Sequence, residues 1–169
     1  RADFLRLWKD RIFRIFMALF FIGGTFVPIL HFLQNKNDEV NWRMDDGFFV
    51  FVIFVSVALS VFTALFVGCA YSDGTMRNKV IVGHSRGAIY LANLVVVMTA
   101  GTLFSLAYTA SGLAVGLPLL GGFATESISL VGTAAAILCL LFACSAIFVF
   151  VALLCPNKAY TTAITILLA

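Results

Sequence analysis

Charged residues are scarce in this sequence, and that scarcity is the first constraint on its fold. Only 11% of its 169 residues are charged, whereas a soluble domain carries about 25% because its surface must meet water. Apolar residues make up 62%, and the mean hydropathy is +1.07. A soluble fold of this size has too little interior to bury so much apolar surface. The composition therefore predicts an integral membrane protein with room for about four or five helical spans.

Motifs for bound cofactors are also missing. The sequence has no Gly-x-x-x-x-Gly-Lys-Ser/Thr phosphate loop, so the chain does not bind ATP by that route. Its four cysteines, at positions 69, 139, 144 and 155, show no metal-ligand spacing. The long apolar runs contain no Asp, Glu, Lys or Arg, which argues against a proton-coupled transporter. We expect no metal and no cofactor on this chain, and no nucleic-acid partner.

One catalytic pattern does occur. Residues 83–87 read Gly-His-Ser-Arg-Gly, which matches the Gly-x-Ser-x-Gly nucleophile elbow of hydrolases. In that fold the acid and then the histidine follow the serine along the chain. After Ser85 this sequence has no His and no Asp, and its only acid is Glu126. The sequence therefore disfavours a membrane esterase, and we expect the chain not to be an enzyme.

The N-terminal segment, residues 1–14, predicts a helix that lies on the membrane surface. At about 100° per residue, its aromatic and aliphatic side chains fall on one face and its basic ones mainly on the other. Such a face opposite a basic one is typical of interfacial helices. The apolar face, continued past residue 14, contains Phe4, Leu5, Trp8, Ile12, Ile15 and Phe16.

Long uncharged runs predict the membrane spans, which make a single all-α domain, a polytopic transmembrane helical bundle. The expected spans are about 15–33, 47–71, 88–110 and 127–155, with a partial fifth span from 159. Because the chain begins at Arg1 and ends within an apolar run, we expect it to be a piece of a longer protein.

The third run is longer than one crossing requires. Residues 87–125 are uncharged for 39 positions, too many for one helix across a hydrocarbon core of about 30 Å. Gly112, Gly116 and Pro118 suggest where the helix ends. After residue 110 we therefore expect a looped, interfacial or re-entrant segment.

Small and hydroxyl-bearing residues predict where helices meet. Ser56, Ser60 and Thr63 are available for contacts between helices, and residues 132–136 (Gly-Thr-Ala-Ala-Ala) would allow close approach.

The basic residues predict the orientation. Nine of the 11 Lys and Arg residues lie in the N-terminal segment, the loop after the second span and the turn after the fourth. The two others, Lys36 and Arg43, lie in the loop after the first span. Because Lys and Arg accumulate in cytoplasmic loops, the N-terminus is expected in the cytoplasm.

The cytoplasmic loop 72–87 admits two interpretations. One is a solvated loop that only carries positive-inside charge. The other is a docking site for a soluble partner, since its turn formers and basic groups suit such a role. In either case Asp73, Gly74 and Thr75 are able to cap a short helix, and a break at 83–85 returns the chain to the membrane.

Three short runs point further: Asp-Gly-Thr-Met-Arg-Asn-Lys at 73–79, Gly-His-Ser-Arg at 83–86 and Tyr-Leu-Ala-Asn at 90–93. Together they resemble the first cytoplasmic loop of ABC-2 type permeases, the membrane subunits of bacterial ABC exporters of the type V architecture. The order of surface helix, span, outer loop, span, this loop and span is similar too.

The resemblance implies a multi-pass permease subunit of the bacterial plasma membrane, working in export. Residues 72–87 would form a coupling helix in a groove of a separate cytoplasmic ABC ATPase, which would bind ATP and Mg²⁺. A second permease subunit, identical or paralogous, would complete the path. The implied contacts to the ATPase are Asp73, Gly74, Thr75, Met76, Arg77, Asn78, Lys79, Gly83, Ser85 and Arg86.

Within that set, Arg77 and Lys79 are the expected partners for acidic groups on the ATPase. The alternative hypothesis is a non-transporting membrane scaffold or sensor that recruits a cytoplasmic partner through residues 71–93.

Overall fold

The chain folds as a helical bundle. The computed structural model describes residues 2–37, 51–72, 74–83, 85–121, 127–154 and 158–169, and within these ranges it contains helices and no strand. Four helices are long and apolar enough to cross a membrane, namely α2, α3, α5 and α6. This confirms the all-helical class and the four long spans expected from the sequence. The described helices are α1 (Ala2–Lys9), α2 (Arg11–Asn37), α3 (Phe51–Ser72), α4 (Thr75–Ile81), α5 (Arg86–Leu120), α6 (Ser127–Leu154) and α7 (Lys158–Leu168).

Asp10 divides the N-terminal segment. Its carboxylate accepts a hydrogen bond from the Ile12 backbone N–H at 2.9 Å, the bond that an N-capping side chain makes at the start of a helix. The expected interfacial helix over residues 1–14 is therefore wrong in extent. The separate N-terminal helix is α1 alone, residues 2–9, and residues 11–14 form the first turn of α2.

Arg6 holds α1 against α3, although the sequence pattern placed this residue on the polar face of α1. The Arg6 guanidinium lies 4.8 Å from the centroid of the Phe66 ring in α3 and donates to the Phe66 carbonyl at 3.3 Å. Leu7 is 2% exposed, whereas Trp8 is 69% exposed. A cation over an aromatic face is attractive, so Arg6 turns inward and the aromatic face points outward.

The α2 and α5 helices form the most extensive pair in the bundle and run in the same direction. Phe13 and Phe20 of α2 both contact Phe104 of α5, at centroid distances of 5.5 and 5.4 Å. Further along, Gly24 meets the backbone of α5 at Tyr108. Because Gly24 has no side chain, the two backbones approach closely there.

The α3 helix is the most deeply buried of the four long helices and packs against α5, α6 and α7. Its Thr63 hydroxyl donates to the Leu59 carbonyl of its own helix at 2.6 Å. The Ser60 carbonyl accepts from the Thr165 hydroxyl of α7 at 3.4 Å. Ser60 and Thr63 thus lie at helix contacts as expected, but their own hydroxyls bond within α3.

The α5 helix does not end near residue 110, so the helix end expected there is wrong, and residues 111–120 are helical rather than looped. It continues to Leu120, 35 residues in all, or about 52 Å at ~1.5 Å per residue. Gly112 and Gly116 are buried inside the bundle, so packing offsets the lower helix propensity of glycine. Pro118 falls in the last turn, where one missing N–H disturbs little of the helix.

The small residues at 132–136 of α6 are not packed closely against another described helix. A Cβ at Gly132 would have no atom within 4 Å, and residues 134–136 are exposed. The close approach expected at 132–136 is therefore absent among the described helices. Residues 47–50 of the second predicted span and Cys155 of the fourth lie outside the described residues.

Gly24→Ala is expected to destabilise the bundle, because a Cβ there would collide with the Ser111 hydroxyl and the Tyr108 carbonyl oxygen. Overpacking of this kind costs about 1–3 kcal/mol. Gly23→Ala is the matched control, since its Cβ would meet only Tyr108 Cε2 at 4.0 Å. Thermal unfolding of the purified protein in detergent measures both. Equal melting temperatures for the two variants would contradict the close contact between α2 and α5.

Candidate functional site

The loop between α3 and α5 is itself folded. The short helix predicted around residues 75–79 is present as α4, Thr75–Ile81. Gly74 precedes it with a φ of 68°, and Gly83 follows it with a φ of 93°. Both angles lie in the left-handed region, which glycine adopts at no steric cost. The two glycines therefore let the chain reverse sharply on either side of α4.

Local hydrogen bonds tie the start of α4 to the end of α3. The Gly74 N–H donates to the Tyr71 carbonyl at 3.1 Å, and the Thr75 hydroxyl donates to the Ala70 carbonyl at 2.8 Å. These bonds satisfy carbonyl groups at the C-terminus of α3, where no further helical turn follows to donate N–H groups to them. Asp73, the first residue of the implied contact set, lies outside the described residues.

Met76 anchors α4 to the bundle. Its side chain is 6% exposed and belongs to the same apolar core as Ala70 and Ile89. The sequence assigned Met76 to the contact surface, but in this arrangement its side chain faces inward. Burying a Met side chain is worth about 1.5–3 kcal/mol, so this residue holds α4 in place.

Most of the other side chains of α4 are exposed. Arg77 and Asn78 are exposed and Lys79 is partly buried. Three consecutive apolar residues follow, and Ile81 and Val82 are 70% and 76% exposed. A short helix that shows both basic and apolar side chains is suited to contact with another molecule rather than with water alone.

The last predicted site residues begin α5. The Ser85 hydroxyl accepts a hydrogen bond from the Ala88 N–H at 3.2 Å, so Ser85 caps the helix. This role accounts for the serine of the Gly-x-Ser-x-Gly pattern. Gly83, Ser85 and Arg86 are all exposed, and His84 lies outside the described residues.

A cavity of about 480 Å³ lies beneath α4, between the end of α3, the start of α5 and the end of α6. It brings Arg77 and Arg86 of the predicted set to one place, together with Met76. Asn78 and Lys79 do not line it. The complete lining is Tyr71, Met76, Arg77, Val80, Ile81, Arg86, Ile89 and Leu153.

Two tyrosines connect this region to α6. The Tyr71 hydroxyl donates to the Leu153 carbonyl at 2.7 Å, and the Tyr90 hydroxyl donates to the Ala146 carbonyl at 3.2 Å. The ends of α3 and α6 and the start of α5 are therefore joined around α4.

Sequence reasoning missed the cavity because its walls are far apart along the chain. Leu153 is 82 residues from Tyr71, to which it is bonded. The one local signal was the apolar run Val80–Val82, which is unusual in a loop with basic neighbours. Among the residues described, no group of three or more His, Cys, Asp or Glu side chains is assembled as a metal site.

Comparison with known proteins adds no assignment. No protein-family model, no curated protein and no solved structure matches this chain.

Gly74→Ala is expected to loosen α4, because an alanine at a φ of 68° costs about 1–2 kcal/mol in the left-handed region. Gly87→Ala is the control: Gly87 does not have a positive φ, and a Cβ there meets no atom within 4 Å. Amide hydrogen exchange of residues 75–81 measures the effect. We expect faster exchange in Gly74→Ala alone, and unchanged exchange there would contradict the assigned turn.

Proposed function

We propose that this chain is a permease subunit of an ATP-driven ABC transporter of the ABC-2 type, in a bacterial plasma membrane. The observation that carries the proposal is α4, an exposed helix of seven residues fixed between two membrane-length helices. A solvated loop needs no such helix, no buried anchor at Met76 and no bonds to α3. A coupling helix needs all three, because it must pass a push from a soluble partner to the spans.

The distribution of basic residues supports a cytoplasmic position for α4. Arg77, Lys79 and Arg86 lie in or beside it, and Lys158 begins α7. The Tyr71–Leu153 bond holds the C-terminus of α6 at the same end of the bundle. Because Lys and Arg are enriched on the cytoplasmic side, this end and the N-terminus would both face the cytoplasm.

The proposed partner is a separate ABC ATPase that binds ATP and Mg²⁺, while this chain performs no hydrolysis. Asn78 and Lys79 lie off the cavity face of α4 and are the foremost contacts to the ATPase. An exposed ion pair contributes at most about 1 kcal/mol. The fit of α4 into a groove would therefore matter more than its charge.

A movement of α4 would be transmitted to the long helices by side-chain packing and hydrogen bonds. A push on α4 reaches α3 through Thr75, the core through Met76, and α6 through the bond between Tyr71 and Leu153. These contacts connect the partner surface with α3, with α6 and with the apolar core. Closure of two ATPases would in this way change the angles between spans, with a second permease subunit forming the other half of the path.

The α1 helix suits the role of a collar at the inner leaflet. Phe4, Leu5 and Trp8 are exposed on it, and Arg6 binds it to α3. Exposed aromatic and aliphatic side chains next to basic ones favour the membrane interface. The collar would tie the first span to the leaflet as the bundle moves.

The orientation is testable by cysteine labelling in cells that make the full-length protein without its native cysteines. Asn78→Cys should react with a membrane-impermeant maleimide only after permeabilisation, and Lys36→Cys should react in intact cells. Both side chains are exposed in the fold, so reactivity reports the side of the membrane. The opposite pattern would overturn the orientation.

The partner is testable by co-purification. Asn78→Trp should reduce the ATPase that co-elutes with the detergent-solubilised protein by at least about fivefold, as expected for losing roughly 1 kcal/mol at an interface. Val131→Trp, at an exposed site on α6, is the control and should leave co-elution unchanged.

If no ATPase co-elutes with the unmodified protein, the permease assignment is wrong. Co-elution without any nucleotide-dependent change in distance between α3 and α6 would favour the scaffold hypothesis instead. Spin labels on those two helices measure that distance.

A further inference from the structure

The cavity beneath α4 is lined by apolar residues and by two arginines. Its inner part is apolar, formed by Met76, Ile89 and Leu153, and its α4 wall adds Val80 and Ile81. The lining also includes two basic residues, Arg77 and Arg86. A volume of about 480 Å³ is large enough for a small organic group, since ligand sites begin at about 300 Å³.

The α4 helix presents this cavity with one face. At about 100° per residue, Met76, Arg77, Val80 and Ile81 fall within one half of the helix, and all four line the cavity. Asn78 falls on the other half. The cavity face is therefore separate from the face assigned above to the ATPase.

We propose that this cavity binds an anionic phospholipid, with the phosphate held by Arg77 and Arg86 and the upper part of an acyl chain against the apolar wall. Arginine binds phosphate through paired N–H donors in a fixed fork. Ile89 and Leu153 supply the apolar surface that the chain needs. The inference does not depend on the proposed function, because a scaffold would have the same site.

The position of the cavity favours a lipid over a soluble ligand. The cavity lies where three long apolar helices begin or end, which is where headgroups meet hydrocarbon. Val80, Ile81 and Val82 are exposed beside it, and water is a poor surrounding for three adjacent aliphatic side chains.

Native mass spectrometry of the delipidated full-length protein tests the proposal. It is titrated with dioleoyl phosphatidylglycerol or with dioleoyl phosphatidylcholine, which have identical acyl chains. We expect the chain to retain phosphatidylglycerol in preference. Arg77→Gln with Arg86→Gln should weaken that retention about 25-fold, since each basic residue near an anionic lipid contributes roughly fivefold in affinity.

Arg14→Gln with Lys79→Gln is the matched control, because it removes the same charge from positions that do not line the cavity. It should leave retention unchanged. Leu153→Trp keeps every charge and fills the apolar floor, and it should also abolish the preference. Circular dichroism and thermal unfolding establish that each variant is folded.

Three results would overturn the lipid site. They are equal retention of the two lipids, an equal loss in the control and the cavity variant, and full displacement of the lipid by millimolar inorganic phosphate. The last would mean that the guanidinium groups bind a free anion. These outcomes leave the ATPase test untouched, since that test uses Asn78 and needs no added lipid.

Discussion

The constraint on which this fold depends is that polar groups in the apolar segments must be satisfied inside the protein. Hydrocarbon offers no hydrogen-bond partner, so each backbone must be helical and each hydroxyl must find a carbonyl. Thr63 donates to Leu59, Ser105 to Gly101 and Thr165 to Thr161, each four residues earlier on its own helix. With these groups satisfied locally, the helices associate by shape. That is why Gly24 and the stacked aromatic rings determine how the spans meet.

The sequence predicted the number of long spans well, because charge in a bilayer is costly enough to leave a clear pattern. It predicted helix ends less well, because an end depends on single contacts. Asp10 separates α1 from α2 because its carboxylate caps the start of α2 through one bond to Ile12, and its neighbours carry no sign of that. Conversely, Gly112 and Gly116 suggested an end to α5, but burial among the other helices keeps them helical. Local propensity is weak beside packing, and packing is not visible in one sequence.

The candidate site, too, was predicted from the sequence only in part. The short helix after Gly74 and the break at residues 83–85 were predicted, since each depends on residues within a few positions, but the capping role of Ser85 was not. The cavity was not, because it exists only when the ends of α3 and α6 are brought together. The burial of Met76 was missed for a related reason. A helix of seven residues has too few turns to reveal which side faces the bundle.

The two faces of α4 have a mechanical consequence. The helix is supported at its start, by the Thr75 bond to Ala70 and by buried Met76. Towards its end, Val80 and Ile81 stand over the cavity. A push on the outer face would therefore tilt α4 about its N-terminal end before it moved the long helices. Filling the cavity would remove that freedom, so the proposed lipid would make α4 a stiffer connection between the proposed soluble partner and the long helices.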